Sequence, residues 1–342
     1  MHRKRSFAAF ASRRLCERRK TPHLMARGVS RLSAEQTAAQ PESGASARST
    51  QWADLAAVVI CTLCWGTTWY AITLQFGVVD PIVSVSYRFA LAAVLLFAWC
   101  ALRRETIWLT PAQHLWAFGV GAVTFAFNYP LVYFAEQRVT SAVVAVMFAS
   151  MAFINLIGFR LAFGQRPPAL AWAAAGLGIA GVALLSWEEI AAANFGVSAM
   201  IGVALTLLAV VAAVVGNIFA RRNEMLHVGI AASTGWAMGY GALILAAFAT
   251  LTGKPWVFEP TWEYVLSLLH LTVNGSVIAF LLYYGLARRR GYATASYISA
   301  LAPPVAMLVS TLFEAKTWGL FALGGVALVL VGQWLLLRAK RT

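Results

Sequence analysis

Residues Trp65–Phe97 read WGTTWYAITLQFGVVDPIVSVSYRFALAAVLLF. One apolar helix carries Trp65, Gly66, Thr67, Thr68 and Trp69 in its middle. A break at Gly77–Pro81 contains no Lys or Arg, and a second apolar helix follows with Arg88 inside it. Gly and Pro bound the break for physical reasons: Gly tolerates backbone angles that end a helix, and Pro fits a first helical turn but not an interior one. The pattern of long apolar run and short connection continues to the end of the chain.

The 342 residues are 60% hydrophobic and 12% charged, against about 25% charged in soluble domains. One soluble core cannot hide so much apolar side chain, so lipid is expected as the solvent for much of the surface. From Asp54 onward ten apolar segments follow, at 54–75, 82–102, 113–134, 140–163, 169–187, 197–220, 229–251, 262–286, 293–313 and 318–337. Each is near the ~20 residues that cross ~30 Å of hydrocarbon. Connections such as Arg103–Pro111, Gly164–Pro168 and Gly253–Pro260 are too short for a soluble domain. The spacing predicts an all-α integral membrane fold of ten transmembrane helices. With the N-terminus cytoplasmic, twelve Lys/Arg fall on the cytoplasmic side, including Arg103, Arg104, Arg221, Arg222 and Arg288–Arg290. Only Arg138, Lys254 and Lys316 fall opposite. Basic residues favour the cytoplasmic side, so both termini are expected inside.

The net charge of +14 does not point to nucleic acid, because residues 1–50 alone hold 11 Lys/Arg against 3 Asp/Glu and nearly all the rest lie between apolar runs. A nucleic-acid domain gathers its cations on a folded polar face. Residues 1–50 read as a disordered basic cytoplasmic tail. Met25 is an alternative start, and the tail's composition also resembles a transit peptide. The Ala-, Arg-, Gly- and Val-heavy usage suits a GC-rich bacterium, which favours the tail or the later start over the transit peptide. Cys16, Cys61, Cys64 and Cys100 suggest no disulfide framework. The CxxC at Cys61–Cys64 lies in an apolar helix, where two small packed residues are expected rather than a redox pair.

The chain also repeats. Shifted by 150 residues, Gly66 meets Gly216, Trp69 meets Phe219, Tyr133 meets Tyr283 and Arg138 meets Arg288. The division is a first five-helix repeat at 54–190 and a second at 197–337. Five is odd, so the second repeat enters the membrane from the opposite side. Inverted repeats of this kind provide two related states around a midplane site, one open to each side.

The WG-x-x-W at Trp65–Trp69, the Pro-x(6)-Arg at Pro81–Arg88, the late Leu301-Ala302-Pro303 and Glu314, and the two five-helix halves resemble the EamA family of the drug/metabolite transporter superfamily. In that family the last helix pair of each half carries leucine-x-proline, then glycine-glutamate, then a glycine-rich helix. The second half here keeps Pro303 and Glu314, followed by Gly324, Gly325 and Gly332, whereas the first half has Met151 near the proline position and Gly164-Gln165. The resemblance implies export or exchange of small metabolites, such as amino acids or related compounds, across a bacterial inner membrane. A nucleotide-sugar or sugar-phosphate exchanger is the alternative within the superfamily, and an integral-membrane enzyme is the alternative from another class. Neither HExxH nor GxSxG occurs in the sequence, so an enzyme is not expected.

Polar residues at membrane depth face a bundle interior or a water-filled cavity. Trp65, Thr68, Trp69 and Ile72 share one helix face by their 3–4 spacing. Together with Arg88, Asn128, Tyr133, Asn274, Tyr283 and Ser296 they form the candidate substrate-binding set; the bland reading of each is interhelical hydrogen bonding or packing. Arg88 stands about 9 Å past Ile82 at ~1.5 Å per residue. A lone cation there costs at least ~2.5 kcal/mol, so it either snorkels outward or faces the cavity to pair with a substrate carboxylate. His270 is the candidate for proton coupling, against a plain hydrogen-bonded role. No cofactor and no metal are expected. The expected partners are a small-molecule substrate and the lipid bilayer, not nucleic acid, and a homodimer is compatible with this reading.

Overall fold

A computed structural model describes residues 43–192, 196–295, 297–315 and 317–338. The chain separates into two compact units, Met1–Ala53 and Asp54–Thr342. Most of the expected tail, residues 1–42, lies outside the described residues. From Ser43 onward the chain is already helical, a correction to a tail reaching residue 50: no Pro follows Gly44, and the Ala-containing run propagates the helix backwards.

The helices are α1 Ser43–Thr73, α2 Pro81–Arg103, α3 Pro111–Glu136, α4 Ser141–Phe163, α5 Ala169–Ala192, α6 Val197–Glu224, α7 Ile230–Leu251, α8 Trp262–Arg290, α9 Tyr297–Phe313 and α10 Leu320–Arg338. A single turn, Tyr292–Ala295, leads into α9. Local chemistry sets the ends. Asp80 accepts from the Ile82 N–H at 2.9 Å with Pro81 in the first turn of α2. Thr110 and Gln113 form a reciprocal capping box ahead of α3, satisfying donors that helix geometry leaves open. Gly164 closes α4 in the left-handed region.

Among the described residues seven helices are long and apolar enough to cross a membrane: Gln51–Thr73 within α1, then α2, α3, α4, α6, α7 and α8. The other three carry shorter apolar stretches, Ala169–Leu185, Leu301–Phe313 and Leu320–Leu336. Leu91, Val94 and Leu95 on α2, Leu207, Leu208 and Val211 on α6, and Leu243 on α7 are all exposed. Apolar surface on that scale suits hydrocarbon, not water.

Helices early in the chain pack against helices late in it: α2 with α7, α4 with α9, α5 with α10, and α3 with both α6 and α7. The closest approaches are made at glycines. A Cβ on Gly181 of α5 would lie 2.5 Å from the Gly325 carbonyl of α10, and one on Gly121 of α3 would lie 2.5 Å from the Ala237 carbonyl of α7. Gly178 and Gly325 belong to the same tight set, whereas Gly176 has nothing within 4 Å. The ends meet through charge as well. Lys254 pairs with Asp80 at 2.9 Å, and Arg289 and Arg290 both bind Asp54, at 2.9 and 2.6 Å.

Both α3 and α8 contain a π segment, Gly121–Asn128 and Val273–Ile278. A π segment widens the turn and frees backbone groups. In α3 it runs directly into Pro130, which has no N–H to continue the ladder.

Candidate functional site

A cavity of about 90 Å³ lies among α1, α2, α3, α4, α6, α8 and α9. At ~10–15 Å³ per water it holds roughly six to nine waters, the scale of a small metabolite. Its wall from α1 is Trp65, Thr68, Trp69 and Ile72; from α3 it is Thr124, Asn128, Tyr129 and Val132. Phe148 and Met151 of α4, Asn217 of α6, Phe280, Tyr283 and Tyr284 of α8, and Ser299 of α9 complete most of the lining. The surface is largely aromatic, with a few hydroxyls and amides and one cation.

That cation is Arg88, 1% exposed. Its Nε donates to Ser276 Oγ at 2.9 Å, and its guanidinium carbon lies 4.7 Å from the centre of the Tyr129 ring and 5.2 Å from that of Phe89. Ring faces attract the cation but offer no hydrogen-bond acceptor in its plane. Nη1 is buried and has no hydrogen-bond partner. Arg88 therefore presents a planar, charged donor to the cavity with part of its capacity unused, which suits a carboxylate. It does not snorkel.

The π segment of α8 makes this possible. Gly275 lets Thr68 and Arg88 approach: a Cβ there would lie 2.6 Å from Thr68 Cγ2 and 3.2 Å from Arg88 Nη2. The Gly275 carbonyl accepts from Trp65 Nε1 at 3.1 Å, and Ser276 Oγ donates to the Leu271 carbonyl at 2.9 Å. Ser276 thus holds Arg88 through an oxygen that is itself fixed. Trp65 packs against Phe280 and Tyr283 at 5.5 and 5.2 Å between ring centres, a rigid aromatic wall.

Of the residues proposed from sequence, Arg88, Trp65, Thr68, Trp69, Asn128 and Tyr283 line this one cavity. Asn128 also donates to the Ala209 carbonyl of α6. Tyr133 lies beyond the wall, fully buried, its hydroxyl donating to Gln75 Oε1 at 2.8 Å. His270 and Asn274 also lie outside the lining. Asn274 Nδ2 donates to His270 Nδ1 at 2.9 Å, which leaves the proton on Nε2 facing Thr67 Oγ1 at 3.0 Å. This network ties α8 to α1. Ser296 lies outside the described residues. Tyr129, Thr124, Phe148, Met151 and Phe280 are lining residues that the polar inventory passed over. Tyr129 carried a readable signal, one turn before Tyr133 on the same face.

Among the described residues no group of three or more His, Cys, Asp or Glu gathers to hold a metal. Cys61, Cys64 and Cys100 are free, and Cys61 Sγ contacts the Ala279 carbonyl at 3.4 Å.

A model of the EamA-like transporter family matches residues 51–187 and again 200–338. The uncharacterized inner membrane transporter YedA of Escherichia coli K12 is 28% identical over 282 residues, covering 79% of this chain and 88% of YedA. Protein PagO of Salmonella typhimurium is 24% identical over 73% of this chain and 81% of PagO. Protein PecM of Dickeya dadantii is 25% identical over 73% of this chain and 80% of PecM. One solved crystal structure superposes with a TM-score of 0.65 at 20% identity, over 85% of this chain and 98% of that one.

Proposed function

The chain belongs to the EamA-like transporter family, and on that premise we propose that it is a secondary transporter that exports small metabolites, amino acids or related compounds, across a bacterial inner membrane. The buried Arg88 guanidinium, with Nη1 open in an aromatic cavity, is the observation that carries this reading. The family and the names of its relatives favour a transporter over an enzyme.

The proposed architecture is ten membrane helices in two inverted repeats, at 54–190 and 197–337, with both termini cytoplasmic. The packing pattern supports it. α2–α7, α4–α9 and α5–α10 each pair a helix with the one five places later, and α3–α7 has its image in α8–α2. The π segments fall at matching places in α3 and α8. A shared cavity between two such halves suits alternating access, in which each half in turn closes one end.

A substrate with one carboxylate fits best. Phosphate-bearing nucleotide sugars call for several cavity cations, and among the described residues Arg88 is the one cation in the lining.

The test is a comparison of spent medium from cells carrying the gene and cells lacking it. The expected result is a small carboxylate-bearing metabolite enriched severalfold in the medium of the carrying cells. No enriched solute, or enrichment confined to phosphorylated compounds, refutes the reading.

A further inference from the structure

The cavity is not the end of the polar path inside the protein. Tyr129, Tyr133 and Glu136 follow one another at spacings of four and three, so they share one face of α3. Tyr129 lies under the Arg88 guanidinium. Tyr133 is fully buried and bonded to Gln75 of the α1–α2 connection. Glu136, about 10 Å beyond Tyr129 at ~1.5 Å per residue, ends the helix. It is 7% exposed, and neither carboxylate oxygen has a hydrogen-bond partner. Nη1 of Arg88 and Nε2 of Gln75, on the same path, are buried and unpartnered too.

The surroundings of Glu136 give no compensation for a negative charge. It stands at the C-terminal end of α3, where backbone carbonyls point outward and disfavour an anion. The charged groups that act on it are Glu314, from the α9–α10 connection, and Arg88, from α2. Glu314 is occupied with Ser141 at the start of α4, whose hydroxyl donates to Oε2 at 2.7 Å. Tyr133, on the same helix, spends its hydroxyl on Gln75. From α6, packed along this end of α3, Gly202 and Thr206 bring no charge. An ionised carboxylate without a partner is not kept buried; it is neutralised by a bound cation. The site supplies too few oxygens for a metal ion, since hard cations take six or more.

We propose that Glu136 is a proton-binding site, joined to the Arg88 cavity by the Tyr129–Tyr133 face of α3, and that its proton is the coupling ion of this protein. A proton from the aqueous side at that end forms an O–H bond on one Glu136 oxygen and is returned to water when the site reopens; no other bond changes. His270, with both ring nitrogens engaged, is not assigned this role. The coupling role rests on the transporter reading, whereas proton binding at Glu136 does not, and the two are measured separately.

The experiment is an infrared titration of the purified full-length chain, following the carboxylic-acid carbonyl band, with no transported solute present. The wild-type protein is expected to show a titrating band that Glu136→Gln removes and Glu136→Asp keeps at a shifted frequency. Glu314→Gln should keep the band and displace its midpoint, because it removes a neighbouring carboxylate. Exchange of potassium for sodium should leave the titration unchanged. A Glu136→Gln spectrum identical to wild type overturns the proposal, as does a midpoint that follows sodium concentration. If Glu136→Gln fails to fold, the aspartate variant decides: an unmoved band refutes the site. If the titration behaves as expected but no exported solute is found, proton binding stands and the transporter reading falls.

Discussion

Arg88→Ala is expected to abolish export while the protein accumulates in the membrane near the wild-type level. Structural loss should be small, because Arg88 makes one side-chain hydrogen bond and Ser276 keeps its own bond to Leu271. Having a charged donor, that bond is worth ~1.5–3 kcal/mol, against stabilities of ~5–15 kcal/mol. Binding loss should be large. Each charge-assisted hydrogen bond to a carboxylate is worth ~1.5–3 kcal/mol, on the order of 10–150-fold in affinity. Arg88→Lys keeps charge but loses the planar fork and the contact with Ser276, so partial export at weaker apparent affinity is expected. Export of the enriched metabolite by each variant, normalised to membrane protein, is the measurement. Wild-type affinity in Arg88→Ala removes Arg88 from the site; failure to accumulate makes its role structural.

The second large effect concerns folding. Gly181→Leu and Gly325→Leu are each expected to lower the amount of accumulated protein severalfold. The α5 and α10 backbones touch at these residues: a Cβ on Gly325 would lie 2.6 Å from the Gly181 carbonyl and 3.1 Å from the Leu185 amide nitrogen. Backbone cannot yield as a side chain does, so the helices must separate and give up the packing that holds them in lipid. Gly176→Ala is the matched control. It is exposed with nothing within 4 Å, and alanine there should be neutral or stabilise by ~0.5–1 kcal/mol. Equal accumulation of Gly325→Leu and Gly176→Ala refutes the packing account.

These two predictions draw on different levels of the sequence. The helical class follows from apolar run lengths, and Trp65, Thr68, Trp69 and Ile72 could be placed on one face because α1 is a regular helix there. Periodicity works less well in α3 and α8. Each extra residue taken up by a π turn rotates the following face by about 100°. Tyr283 and Tyr284 both follow the π segment of α8 and both enter the lining. Spacing carries no mark of a π segment beyond Gly121 and Gly275, which resemble any packing glycine.

Glu136 was hidden for another reason. It ends an apolar run, a place normally in water. The residues whose charge acts on it, Glu314 and Arg88, are far from it in the chain. The tight glycines were legible as a group but not singly, since Gly176 and Gly178 differ only in what faces them.

The most direct test of the central claim, that this cavity serves both sides of the membrane in turn, uses a cysteine within it. Ala213 of α6 lines the cavity and is partly exposed; Ala213→Cys adds little volume. In a background lacking Cys16, Cys61, Cys64 and Cys100, an impermeant thiol reagent is applied to intact cells and, separately, to inside-out vesicles. Labelling in both preparations is the predicted result. Labelling from one side only, in a protein that still exports its solute, contradicts the account.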